Sequence, residues 1–134
     1  MTTISQAREA INQRWIAGWG NRTPYTFSNE SFKPDQTRAW ARVTARHEFG
    51  GQDTLGEAGN RKFLYGGRLF LQLFTLRDRG TKEIDDHAQV AKDIFEGRKF
   101  DGVWVTRAVP RELGEDGPWH MLTVECEFTY EQVK

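Results

Sequence analysis

The chain has 134 residues, enough for one domain. Lys/Arg and Asp/Glu balance at 19 each, so the formal net charge is zero and the pI is about 6.8. A general nucleic-acid binder needs an excess of Lys and Arg to displace phosphate counterions, so that class is disfavoured. Apolar residues make up 37% of the chain, below the roughly 45–50% of an ordinary globular domain (a figure that counts glycine). Aromatics reach 13%, with five Trp and nine Phe, and their ring area is sufficient for a core in this length.

The charge is unevenly spread. Residues 1–67 carry 9 Lys/Arg against 6 Asp/Glu, and residues 68–134 carry 10 against 13. A chain with one basic half and one acidic half can complement a copy of itself. The single cysteine, Cys126, excludes an internal disulfide and suits a reducing cytoplasm. The first residues lack the apolar core of a signal peptide, and no apolar run approaches membrane-spanning length, so no membrane partner is expected.

Thr3 to Trp19 reads as a helix, with Ile4, Ala7, Ile11 and Trp15 on one face and Gly18 and Gly20 at its end. Tyr25 to Ser28 is a short strand closed by a polar turn. Thr37 to Phe49 is a long strand with a small, mostly apolar face (Ala39, Ala41, Val43, Ala45) opposite a face carrying Arg38, Arg42 and Arg46. Residues 50–62 hold four glycines and only one large apolar residue, Leu55, so they predict a mobile loop at the tip of a long hairpin. Phe63 to Arg77 is the return strand. Leu69, Leu71 and Leu73 line one face and Phe70, Phe74 and Leu76 the other, so both faces require cover, from the folded-over hairpin or from another subunit.

Thr81 to Glu96 is a second helix whose buried stripe is Ile84, Ala88, Ala91, Ile94 and Phe95. Val103 to Val109 is a strand ending at Pro110, and residues 111–118 form a charged turn. Trp119 to Glu131 is the last strand, with Leu122, Val124, Cys126 and Phe128 on one face and Glu125, Glu127 and Glu131 on the other. The order α-β-β-β-α-β-β predicts a single α+β domain over 1–134. Its sheet is largely antiparallel or mixed, of about five strands, with two helices packed on one face.

Motifs that carry chemistry are weak. Gly51 to Gly56 has phosphate-loop glycine spacing, but Glu57 and Ala58 stand where Lys and Ser/Thr are required, and an acid there would repel phosphate. His47, His87 and His120 are scattered, and Cys126 lacks a second cysteine at ligand spacing. No nucleophile motif is present. No catalytic, cofactor or metal site is therefore expected, and the chain does not read as an enzyme. The Arg38, Arg42, Arg46 row stands out. Either it is a solvated face paired with acids of a neighbouring strand, or it meets Glu125, Glu127 and Glu131 of another copy.

The helix, Pro24-Tyr-Thr-Phe-Ser-Asn29, the Phe32-x-Pro34 segment, the strand around Trp40 to Val43, the glycine-rich loop, the late helix and the alternating last strand occur in a recognisable order. That order resembles the tail-terminator or tail-completion proteins of long-tailed phages, the minor tail protein U group. The resemblance implies a structural virion protein assembled in the host cytoplasm, from phage or prophage. It would form a homo-oligomeric ring, typically a hexamer, that caps the tail tube, ends its polymerisation and gives the head its joining surface. Its partners would be itself, the tail tube protein and a head-completion or connector protein. Nucleic acid would not be read by sequence, although DNA could pass through the ring. A small α+β enzyme or ligand-binding domain is the alternative.

Overall fold

A computed structural model describes residues 2–134. The elements are α1 (Ile4–Trp19), β1 (Tyr25–Phe27), β2 (Trp40–Gln52), β3 (Lys62–Leu76), α2 (Lys82–Phe95), β4 (Lys99–Phe100), β5 (Val103–Asp116) and β6 (Trp119–Val133). The fold is α+β, with six strands in the order β1-β2-β3-β6-β5-β4. Every pairing is antiparallel except β1 with β2, which is parallel. The sixth strand, β4, has two residues and therefore no periodicity that a sequence could display.

The helices form as expected. Thr3 caps α1: its hydroxyl accepts from the Gln6 N–H while the Gln6 side chain accepts from the Thr3 N–H, a reciprocal capping box. The buried face of α1 is Ala7, Ala10, Ile11, Trp15 and Trp19, whereas Ile4, expected inside, is 60% exposed because it precedes the first turn that reaches the sheet. The stripe of α2 is buried as expected. Both helices lie on the sheet face built from Leu69, Leu71, Leu73, Leu122, Val124, Cys126 and Phe128, and together these residues form one core. Helix α1 touches both β2 and β5, which have two strands between them, so the sheet curls around it.

Three strand boundaries depart furthest from expectation, each for a local reason. Strand β2 begins at Trp40, not Thr37, because the Asp35 carboxylate accepts from both the Thr37 N–H and the Thr37 hydroxyl, and this turn holds Arg38 outside the sheet. The hairpin also runs further than the glycines suggest: Gly50, Gly51 and Gln52 pair with Tyr65, Leu64 and Phe63, so the loop is residues 53–61 rather than 50–62. Gly50 serves close approach here, since a Cβ on it would run into the Tyr65 ring. Finally, β5 passes through Pro110 to Asp116 and returns through the two residues Gly117 and Pro118, with Gly117 at φ 56. Beyond Val105, whose N–H donates to the Arg98 carbonyl, no strand among the described residues pairs with the outer side of β5, so a residue without an N–H is tolerated there.

The second face of β3 is covered by neither the hairpin nor a folded-back strand. At one end Trp40 stacks on Phe74 with centroids 4.0 Å apart, and Phe32 and Trp119 close around them at 5.1 and 6.1 Å. Further along, guanidinium groups take over from rings.

Candidate functional site

The outer face of the sheet, opposite the helices, is read from the pairing register. Arg42 lies in one row with Gln72, Thr123 and Arg111, and Thr44 with Phe70, Glu125 and Val109. Arg46 lies in a row with Arg68, Glu127 and Arg107. The structure thus places Arg42, Arg46, Glu125, Glu127 and Glu131 on one face of one chain, while Arg38 sits in the turn before β2. Sequence reasoning missed Arg68, Arg107 and Arg111. The signal available was their outward alternation, but it needed the strand ends and bulges to be known.

The arginines stack on rings. Arg42 lies 5.1 Å above the Trp40 ring, and Arg46 and Arg68 each lie 5.6 Å from the Phe70 centroid, one from either neighbouring position. Such stacking is worth about 0.5–1 kcal/mol at exposed sites and fixes the direction of each guanidinium. Among the described residues Arg42, Arg46 and Arg107 have no carboxylate within 4.0 Å. The glutamates are unevenly engaged: Glu125 pairs with Arg111 at 2.5 Å, Glu131 lies 3.9 Å from Lys62, and Glu48 binds Arg68 at 2.9 Å. Among the described residues Glu127 has no basic group within 4.0 Å. Arg42 and Arg46 therefore do not pair with acids of the adjacent strand, whereas Arg68 and Arg111 do. Because both rows share one face, an arginine–glutamate contact between copies would be face to face and reciprocal, and a head-to-tail ring would need its second patch elsewhere.

Below these rows the face changes character. Phe49, Gly66, Thr129 and Trp104 follow one another across four strands. Phe49 and Trp104 are half exposed, at 51% and 52%, and between them the floor is made of small residues. Leu64, Lys99, Glu131 and Val133 continue the surface into an open trough of about 700 Å³.

The residues with other chemical potential are dispersed. Cys126 is buried and its thiol is pushed up to about 12, by burial first and by Glu96 second, so it remains a thiol at neutral pH. His87 accepts from the Arg22 side chain at its Nδ1, 2.8 Å away. No three His, Cys, Asp or Glu side chains among the described residues converge as a metal site would require. No helix among them is long and apolar enough to cross a membrane.

His47 is on the core side of β2, edge-on to Phe128 and Tyr130, and neither ring nitrogen has a hydrogen-bond partner. Burial, then the charge of Arg8, lowers its pKa from the ordinary 6.5. Above pH 6.5 the ring is neutral whether the chain is folded or not. Below it the unfolded chain takes up a proton that the folded chain refuses, so stability falls as pH falls towards the folded value. Urea unfolding of His47→Phe from pH 7.5 downwards is expected to show a shallower acid loss than the parent. Part of the loss is expected to remain, because burial and Arg22 also lower His87, against an opposing pull from Glu83. An identical slope in parent and variant would assign the acid loss to other groups.

No family model matches the chain, and no curated protein matches it. A solved structure of a protein whose name describes no activity is similar along the whole chain. It covers 100% of this chain and 99% of its own, with a TM-score of 0.71 at 14% identity. At that identity the likeness shows the fold alone.

Proposed function

We propose that this chain is a structural assembly subunit of the tail-terminator kind: a ring, six-membered by the resemblance, that seats on the end of a phage tail tube, stops its growth and offers the surface to which a head joins. No catalytic step belongs to this reading. The observation that carries it is the pair Arg42 and Arg46. They are aimed by ring stacking, lack carboxylate partners and stand on a sheet face that the helices leave open. Guanidiniums held in this way have lost side-chain freedom in advance, so docking against an acidic surface costs less entropy. Since Glu125 and Glu131 are engaged within their own chain, and Glu127, the one left unpaired among the described residues, stands on the arginines' own face, the arginine face is assigned to an acidic surface of the tail tube protein, not to the next copy.

The test is addition of the protein to purified, uncapped tails under the electron microscope. The parent is expected to cap tube ends and halt elongation. Arg42→Glu with Arg46→Glu is expected to keep the parent's circular dichroism and oligomeric state and to leave the ends open. If that double variant caps tails as the parent does, the arginine face is a solvated surface. If the parent never binds a tail end, the terminator reading itself is wrong.

A further inference from the structure

Between the rows of Arg42 and Arg46 the outer face dips into a hollow of about 370 Å³. Arg42, Thr44 and Arg46 of β2 line it on one side, and Phe70 and Gln72 of β3 on the other. Four of these five side chains can donate hydrogen bonds, and none is a carboxylate. None of the four donates to another described residue. The neighbouring acids are already taken. Glu125, across Phe70 from Thr44, is held by Arg111, and Glu48 is held by Arg68. Two guanidiniums, a hydroxyl and an amide therefore surround a hollow to which the chain brings no negative charge, and the Trp40 and Phe70 rings fix where the guanidiniums point.

The hollow is elongated along β2. Arg42 and Arg46 lie four residues apart, before the bulge that follows His47, so their Cα atoms are about 13 Å apart at roughly 3.3 Å per residue. An extended segment laid along β2 shows every second side chain to the sheet, so its residues i and i+4 reach the two ends of the hollow. We propose that the hollow takes an extended acidic segment of the tail tube protein, with carboxylates on residues i and i+4 meeting Arg42 and Arg46. The carboxylate at the Arg42 end also accepts from the Gln72 amide, which lies in the same row, and a polar side chain at i+2 meets the Thr44 hydroxyl. This rests on the terminator reading and names the chemistry that the tube must present. A nucleic-acid strand is the poorer occupant. The chain is neutral overall, and Glu125 and Glu127 stand on the same face, so a long polyanion meets repulsion where it leaves the hollow and a short segment does not.

Chemical-shift titration of the protein with short peptides measures the contact. Two peptides of one composition are compared, Asp-Thr-Thr-Thr-Asp and Asp-Thr-Thr-Asp-Thr, each acetylated and amidated. When extended, the first holds both carboxylates on one face and the second holds them on opposite faces. The first is expected to shift the resonances of Arg42, Thr44, Arg46 and Gln72 and to bind at least about threefold more tightly than the second. Thr44→Val and Gln72→Leu keep every charge and replace each side chain with one of similar bulk. Each is expected to weaken the first peptide by about threefold or more, because a donor to it is lost. Circular dichroism and the melting temperature are expected to stay at the parent's values.

Equal affinity for the two peptides would make the arginines a diffuse basic surface and overturn the proposal. So would Thr44→Val and Gln72→Leu variants that bind the first peptide as the parent does. A parent that shifts with neither peptide at about 10 mM, beyond the weak end of specific binding, overturns it as well. An oligothymidylate that shifts the same four residues and binds more tightly than the first peptide would make the occupant a phosphodiester backbone, and would also overturn it. None of these results touches the terminator reading, which the capping of tails tests separately. Tails left uncapped by the parent would overturn that reading, and with the spacing preference intact the hollow would still select an acidic segment, from a protein other than the tube.

Discussion

Replacing Trp15 with alanine is expected to lower the unfolding free energy by about 3–5 kcal/mol, the range for emptying a large aromatic site. Trp15 is fully buried in α1, stacked on Trp19 at 4.4 Å and edge-on to Tyr25 at 6.1 Å. The same cluster holds Leu71, Ile94 and Phe128, so the indole joins α1 to α2 and to the centre of the sheet. A domain of this size holds only about 5–15 kcal/mol in total, so the variant is expected to be unfolded or nearly so at 37 °C. The indole Nε1 has no hydrogen-bond partner. Trp15→Phe therefore forfeits packing volume but no polar contact and is expected to cost much less. Urea unfolding followed by circular dichroism checks both variants. A Trp15→Ala curve superimposed on the parent's would mean that α1 is not docked through this residue.

The core was legible in the sequence and the boundaries were not, for physical reasons visible at single residues. Ile11 and Trp15, and Ile84 through Phe95, repeat at helical spacing because each helix buries one side only. Leu122 to Phe128 alternate because β6 has a core side and an outer side. Phe70 was indistinguishable from Leu71 as a core residue: both are large, apolar and central, and only the register shows that Leu71 faces the helices while Phe70 lies under two guanidiniums. Gly50 and Gly51 were misread because glycine marks turns and close approaches equally. Pro110 was misread because the sequence does not say which side of a strand is unpaired.

The arginine spacing was also legible, but its meaning was not. What Arg46 stacks on belongs to β3, and the carboxylate that occupies Arg111 depends on the β5–β6 register after the bulge at Leu113. The close approach of β3 to its neighbouring strands left one trace, the adjacent pair Gly66-Gly67 inside a strand otherwise rich in leucine and phenylalanine.

That pair carries the second large effect. Gly67→Ala is expected to destabilise the chain by about 3 kcal/mol, at the upper end of overpacking. A Cβ at Gly67 would overlap the Arg46 carbonyl oxygen and press on the Glu48 N–H at 2.9 Å. Both are backbone atoms of β2 at the bulge between His47 and Phe49, so no side-chain rotation relieves the clash, and the paired strand must move. Gly51 provides the contrast, one turn of the hairpin away in the same ladder: a Cβ there meets nothing within 4 Å. Gly51→Ala is expected to be neutral or slightly stabilising, because it restricts the unfolded chain without meeting the folded one. Chemical unfolding of the two variants side by side is the measurement. Equal stabilities would mean that β2 yields at the bulge without cost. A loss confined to Gly67→Ala would identify the bulge as the rigid point from which the hairpin arm, and with it the half-exposed Phe49 ring, is aimed across the face of the sheet.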